Sequence, residues 1–126
     1  MRNISFSLTT PQFIAGTKDV TRRWGWLFLY AGMELCAIEK GQGLGKGGKV
    51  KRLGIIRVVR VSIEPLNRIC TDLEYGHREC IREGFPPPHH ESDPGNFVEF
   101  FCDSHRGCKP DTPITRIEFV KIGPSP

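Results

Sequence analysis

The segment from Arg52 to Ile63 constrains the fold of this chain more than any other segment does. It reads RLGIIRVVRVSI, and its apolar residues are mostly β-branched, which is typical of strands. Pro65 follows two residues later and ends the pattern, because a proline cannot donate a backbone hydrogen bond inside a sheet. The sequence therefore predicts one long strand and a fold that contains a sheet.

Shorter elements are predicted on both sides of this strand. Apolar residues alternate with polar ones at Ile4, Phe6 and Leu8, a period of two that indicates a strand. Thr10 and Pro11 open a short helix. The other predicted elements are strands at 34–39 and 114–122, helices at 66–70, 72–81 or 72–83, and 96–104, and loops at 41–48 and 85–96. This order of elements predicts a mixed α+β domain.

Length and composition limit the class of protein further. A chain of 126 residues predicts one domain over residues 1–126. Its 38% hydrophobic and 25% charged residues exclude a disordered chain and a membrane protein, and the longest apolar stretch, Trp24–Gly32, is too short to span a bilayer. The N-terminus has no apolar signal segment and the five cysteines are an odd number, so we expect a cytoplasmic protein with reduced thiols.

The charges are distributed unevenly along the chain. Residues 40–60 contain seven lysines and arginines and no acid, whereas residues 64–99 contain eight acids and three bases. This pattern predicts one cationic and one anionic end, and the cationic end suits a polyanion such as nucleic acid. A solvated loop loosened by glycines is the alternative interpretation of the basic block.

A second basic segment, Gly16–Arg23, reads GTKDVTRR. Lys18 and Thr21 are three residues apart, so a single helical turn would bring the amine and the hydroxyl together. Arg22 and Arg23 add two cations that can form paired hydrogen bonds with phosphate or carboxylate. The residue types suit an anion site, although a cationic surface loop would have the same composition.

This segment resembles the G-x-K-x-x-T-x-R motif of ASCH domains, a branch of the PUA-like β-barrels. The similarity continues through most of the chain, in ISFSLTTPQF, KGQGLGKGGKVKRLG, IRVVRVSIEPLN, REGF and TPITRIEFV, and it is of the type found in phages and prophages. The resemblance implies a small mixed β-barrel with about three flanking helices. A cleft between the barrel and the helices would bind the ligand.

The resemblance also implies a choice of functions. PUA-like domains generally bind RNA or modified nucleotides, and some ASCH proteins are described as ribonucleases. A small bacterial relative is an amidohydrolase acting on N4-acetylcytidine through a lysine and a threonine of the motif and a glutamate on a later helix. These roles would fall on Lys18, Thr21 and Glu83, with Glu79 as the alternative carboxylate.

The same residues would also make a binding site without turnover. Lys18 and Arg22 would then hold a phosphate, Glu83 would accept a hydrogen bond from a base amine, and Trp24 or Trp26 would stack on the ring. The complete set of predicted binding residues is Lys18, Arg22, Arg23, Trp24, Lys46, Lys49, Lys51 and Arg52. The expected partner is RNA or a modified nucleoside, with no cofactor and no membrane.

Three further patterns leave alternatives open. Cys102, His105 and Cys108 have a spacing found in zinc sites, with Cys80, His89 or His90 as a fourth ligand, but buried cysteines beside a surface histidine are the preferred interpretation. The alternating aromatic residues of the 24–30 segment predict one face of a core strand or a stacking platform. The glycine-rich segment lacks the G-x-x-x-x-G-K-[ST] pattern, which excludes a nucleoside triphosphatase of that type.

Overall fold

The computed structural model describes residues 1–40 and 48–124. Its five strands are β1 (Asn3–Ser5), β2 (Val20–Arg23), β3 (Glu34–Ile38), β4 (Arg52–Pro65) and β5 (Pro113–Gly123). They form one sheet in the order β1-β3-β4-β5-β2, in which β1 is parallel to β3 and the other neighbours are antiparallel. The long strand predicted from the β-branched segment is therefore the centre of the sheet.

Four α-helices accompany the sheet in the described residues, and the first begins one residue earlier than predicted, because Thr9 rather than Thr10 is its N-cap. They are α1 (Thr10–Ala15), α2 (Arg68–Thr71), α3 (Leu73–Arg82) and α4 (Pro94–Ser104), with a 3-10 turn at His90–Ser92. The side chain of Asp72 accepts a hydrogen bond from the Tyr75 backbone N–H at the start of α3, and Asp93 caps α4 in the same way. In the described ranges, no helix is long and apolar enough to cross a membrane.

The sheet is open rather than closed. β1 and β2 are its two edges, and among residues 1–40 and 48–124 they do not pair with each other. The mixed α+β class is confirmed, but the predicted barrel is not. The described residues contain four α-helices where the resemblance implied about three, and α4 begins at Pro94, inside the predicted loop at 85–96.

The aromatic segment at residues 24–30 does not form a strand. Gly25 and Gly32 have φ values of 92° and 95°, and these turns end the extended backbone on which alternation depends. Trp24 and Phe28 are each 43% exposed. The prediction of a core strand here is wrong; the stacking platform stays a prediction.

Two apolar clusters lie on either side of the candidate site. In the first, the ring of Phe6 stacks on Phe13 and Phe119, with centroids 5.0 and 5.5 Å away, between α1 and the sheet. In the second, Phe97 and Phe101 of α4 pack with residues of α2, α3 and the start of β5. A cleft opens between the two clusters, because it is lined by Phe6 from one and by α4 from the other.

Candidate functional site

The cleft has a volume of about 190 Å³, an apolar wall and a charged end. The apolar wall consists of the phenylalanines at the end of α3 and along α4, namely Phe85, Phe97, Phe100 and Phe101. The polar residues of the lining are Ser5, Ser7, Thr9, Lys18, Thr21, Arg22, Arg23, Glu83, Ser104 and His105. Aromatic faces beside a few convergent polar groups are the general composition of a site for a small planar ligand.

Lys18 lies in the segment between α1 and β2 and is almost fully buried. Its Nζ donates hydrogen bonds to the backbone oxygens of Glu83 at 2.6 Å and Val20 at 2.9 Å. The third donor faces Oε1 of Glu83 at 3.3 Å. Burial lowers the pKa of Lys18 and nearby Arg23 lowers it further, although Glu83 opposes the shift. All three donor positions of the ammonium group are thus used inside the protein.

Arg22 of β2 lies beneath the charged end of the cleft and binds three carboxylates. Its Nη1 donates to Oε2 of Glu83 at 2.9 Å, and its Nη2 donates to Glu79 at 2.7 Å and to Glu64 at 2.9 Å. Burial opposes the charge, but Glu83 and Glu79 raise the pKa of Arg22 above its usual value. Arg22 therefore orients Glu83 and keeps few donors for a ligand. Its Nε is buried with no hydrogen-bond partner in the described residues.

Glu79 lies one helical turn before Glu83 and has a different environment. It does not line the cleft, and its carboxylate is enclosed by Arg22 and Arg116. Burial favours the neutral acid, but the hydrogen bonds from Arg116 and Arg22 prevail and lower the pKa of Glu79 to about 2. Glu83 is therefore the carboxylate that a ligand can reach.

Arg23 and Thr21 face the opening from the other side of β2. Nε of Arg23 donates to Oγ1 of Thr21 at 3.2 Å, and its Nη2 donates to the backbone oxygen of Ser5 at 2.6 Å. Burial lowers the pKa of Arg23 to about 10, so the guanidinium is still charged at neutral pH. No partner for its Nη1 occurs among residues 1–40 and 48–124, which leaves a charged donor for a ligand.

The structure brings together Lys18, Thr21 and Glu83, as the motif resemblance implies. It does so without the predicted helical turn, because Lys18 precedes β2 and Thr21 lies on that strand. Trp24 does not line the cleft; its ring lies near Gly107, where an added Cβ would be 3.7 Å away.

The basic block contributes a neighbouring surface. Lys49 and Lys51 line a second depression with Lys40, and Ser7 belongs to both this depression and the cleft. Arg52 is exposed at the start of β4 and lines neither. Lys46 and most of the predicted glycine-rich loop lie outside the described residues.

The aromatic wall was missed at the sequence level. The spacing of Phe97, Phe100 and Phe101 predicts α4, but it does not say which face meets the cleft. His105 entered the sequence argument only as a zinc ligand. No group of three or more His, Cys, Asp and Glu residues in the described part of the chain is arranged to hold a metal, and His105 instead hydrogen-bonds to the backbone of Phe101.

Comparison with known proteins identifies the type of fold. No protein-family model matches the sequence, and no curated protein does. Similar solved structures include a variant of ZmASCH from Zymomonas mobilis, with a TM-score of 0.58 and 14% identity, covering 97% of this chain and 70% of that one. A DUF984 protein from Enterococcus faecalis has a TM-score of 0.54 and 17% identity, covering 91% of this chain and 67% of that chain. The chain thus has an ASCH-like α+β fold, and its phage or prophage type stays a prediction.

Proposed function

We propose that this protein binds RNA or a modified nucleotide and holds one base in the cleft. The observation that carries the proposal is the aromatic wall of α4 facing the charged donors of β2 across one opening. Base recognition in single-stranded RNA combines stacking on aromatic side chains with hydrogen bonds to the base edge. The cleft supplies both kinds of contact.

The size of the cleft favours a single base. Sites for drug-sized ligands usually measure about 300–1,000 Å³, whereas this cleft measures about 190 Å³. A duplex presents no free base to such an opening, so the ligand would be a nucleoside, a nucleotide or an unstacked base of a single strand.

The lysines beside the cleft would hold the sugar-phosphate backbone. Lys40, Lys49 and Lys51 are exposed, and their depression shares Ser7 with the cleft. Lys51 approaches Glu39 at 3.6 Å, but such an exposed pair is weak and a phosphate can displace it. Their contacts would be independent of sequence and sensitive to salt.

The test measures equilibrium binding of a short single-stranded RNA over a range of salt concentrations. Removing the exposed edge of the aromatic wall with Phe100→Ala should weaken binding by about 1–3 kcal/mol, because a stacked base loses its platform. The matched control is Ile81→Ala, since Ile81 of α3 is 45% exposed and lies outside the cleft and outside the aromatic 24–30 segment.

The lysines are tested in the same assay. The double variant Lys49→Ala with Lys51→Ala should reduce the slope of log affinity against log salt by about 2. A wild-type affinity that does not change with salt would contradict the proposal.

Hydrolysis of an N-acylated cytidine is the second candidate. Lys18, Thr21 and Glu83 line the same cleft, and burial lowers the pKa of Lys18, which favours the neutral amine that a nucleophile or base requires. One observation argues against hydrolysis: Nζ of Lys18 already faces three acceptors. Its contact with Glu83 must break before the amine can attack.

Incubation with N4-acetylcytidine followed by chromatography tests this activity. We expect that neither cytidine nor acetate is released. Release that is abolished by Lys18→Ala would instead establish the hydrolase, and release that persists in this variant would exclude Lys18 from the mechanism. Electrophoresis of the RNA after the binding assay tests the ribonuclease alternative, for which shortened fragments are the positive result.

We propose that the protein is located in the cytoplasm, because its cysteines are free thiols. All five are free thiols in the structure, and three of them, Cys36, Cys80 and Cys108, are buried. Free thiols persist in a reducing compartment.

A further inference from the structure

His105 follows α4 directly and has a fixed orientation. Its ring stacks on Phe101 with the centroids 4.1 Å apart and the planes 15° apart. Nδ1 lies 2.8 Å from the backbone oxygen of Phe101. A carbonyl oxygen only accepts hydrogen bonds, so Nδ1 carries the proton and donates. In the neutral imidazole Nε2 then has a free lone pair and acts as an acceptor.

Nε2 is available to a ligand. Among the described residues it has no hydrogen-bond partner, and it is not a buried unpaired atom, since Nε of Arg22 is the only one found there. His105 lines the cleft together with Ser104 and the phenylalanines of α4. With the imidazole neutral, a base stacked in the cleft would therefore meet an acceptor on the α4 side.

The charged end of the cleft has the opposite character. The free Nη1 of Arg23 is a charged donor, suited to a carbonyl or phosphate oxygen. The two sides together would distinguish the two edges of a base that carries both a carbonyl and an amino group.

We propose that His105 selects nucleobases with an exocyclic amino group over those with a carbonyl at the same position, an inference that rests on the proposed function. An amino group donates a hydrogen bond to Nε2. A carbonyl in its place puts two acceptors against each other and leaves both unpaired, which costs more than the loss of one hydrogen bond. His105 is thus a specificity-determining residue, separate from the Lys18, Thr21 and Glu83 set.

Two matched ligand pairs test the proposal by calorimetry at about pH 8. Cytidine is compared with uridine, and adenosine with inosine, because each pair exchanges the amino group for a carbonyl and the adjacent ring nitrogen for an N–H. We expect the amino member of at least one pair to bind about tenfold more tightly to the wild-type protein. Equal affinities within both pairs would overturn the proposal but leave the proposed function intact, whereas no binding of any nucleoside or of RNA would overturn both.

Variants of His105 assign the preference to this side chain. His105→Phe keeps a ring on Phe101 and removes Nε2. The tenfold preference should therefore disappear, and the variant should bind both members of each pair about equally. His105→Gln, which retains an acceptor, should keep part of the preference and covers the case in which the phenylalanine variant does not fold. The control is His77→Phe, since His77 is exposed on α3 and outside the cleft. A preference that persists unchanged in a folded His105 variant would overturn the proposal.

Discussion

Glu79 determines the charge balance beneath the cleft although it does not line it. Its carboxylate lies between Arg22 and Arg116 and is 1% exposed. Removing one partner of a buried ion pair leaves an uncompensated charge, and this typically costs about 3–5 kcal/mol. The same Arg22 holds Oε2 of Glu83, so the buried carboxylate and the cleft carboxylate are linked through one arginine.

The pKa of Glu79 makes the stability of the fold depend on pH in the acid range. The folded value of about 2 lies below the ordinary 4.5, so the unfolded chain binds the proton first as the pH falls. The stabilising contribution is complete above about pH 4.5 and disappears as the pH falls towards 2, with a total of about 3 kcal/mol. We expect the free energy of unfolding to decrease over this range.

The variant Glu79→Gln tests whether Glu79 is responsible for this pH dependence of the free energy of unfolding. In urea titrations, the difference in unfolding free energy between pH 5 and the lowest pH at which both proteins fold should shrink in this variant. The exposed Glu74 of α3 gives the control Glu74→Gln. A pH dependence identical to that of the wild type would show that Glu79 does not titrate as described.

At the scale of secondary-structure elements, Gly76 sets the position of α3. A Cβ on this residue would lie 1.9 Å from the backbone oxygen of Ile69 in α2 and 2.8 Å from Cγ of Pro94 in α4. The glycine thus lets three helices approach closely at one point. The end of α3 carries Glu83, so this approach also places the carboxylate in the cleft.

Gly76→Ala should destabilise the protein although alanine is the better helix former. The helix propensity gained is about 1 kcal/mol, whereas overpacking typically costs about 1–3 kcal/mol, and a Cβ 1.9 Å from a backbone oxygen places this site at the upper end. Chemical denaturation followed by circular dichroism measures the net change. His77→Ala, on the exposed side of α3, should be nearly neutral; a Gly76→Ala variant as stable as the wild type would contradict the close contact.

Local patterns predicted most of the elements because their causes are local. Asp72 and Asp93 cap helices within three residues of themselves, and the β-branched run needs only its own composition to favour β4. The turns after Trp24 and the open edges of the sheet were missed, because they depend on glycine conformation and on pairing between distant strands. The motif resemblance predicted that Lys18, Thr21 and Glu83 meet, but the aromatic wall depends on the rotation of α4, which spacing does not fix.

At the scale of the whole molecule, part of the uneven charge is buried, because some acids of the acidic half lie inside the protein. Two acids of the acidic half, Glu79 and Glu83, are buried and paired with arginine or lysine of other elements. The predicted anionic end is therefore weaker at the surface than the acid count suggests. Lys40, Lys49 and Lys51 are exposed around one depression, so the cationic surface is retained beside the cleft.

The central strands contribute residues to both apolar clusters. This connection supports the expectation that the chain is one domain. Val58 of β4 and Phe119 of β5 lie in the first cluster, whereas Ile114 at the start of β5 lies in the second. β5 thus contributes to both clusters, and it pairs with β4 from Pro65 opposite Pro113 to Ile55 opposite Gly123. We therefore expect residues 1–126 to unfold in one cooperative transition.

Two probes that report on different parts of the molecule test this expectation. Tryptophan fluorescence reports on Trp24 and on Trp26, which packs against the first cluster, whereas far-ultraviolet circular dichroism is dominated by α3 and α4 beside the second. The two urea transitions should have the same midpoint, and Gly76→Ala should lower both midpoints equally, although the substitution lies among the helices. If the variant shifted the dichroism alone, the helices and the sheet would be separate folding units, since a cooperative domain transmits a local loss of stability to every probe.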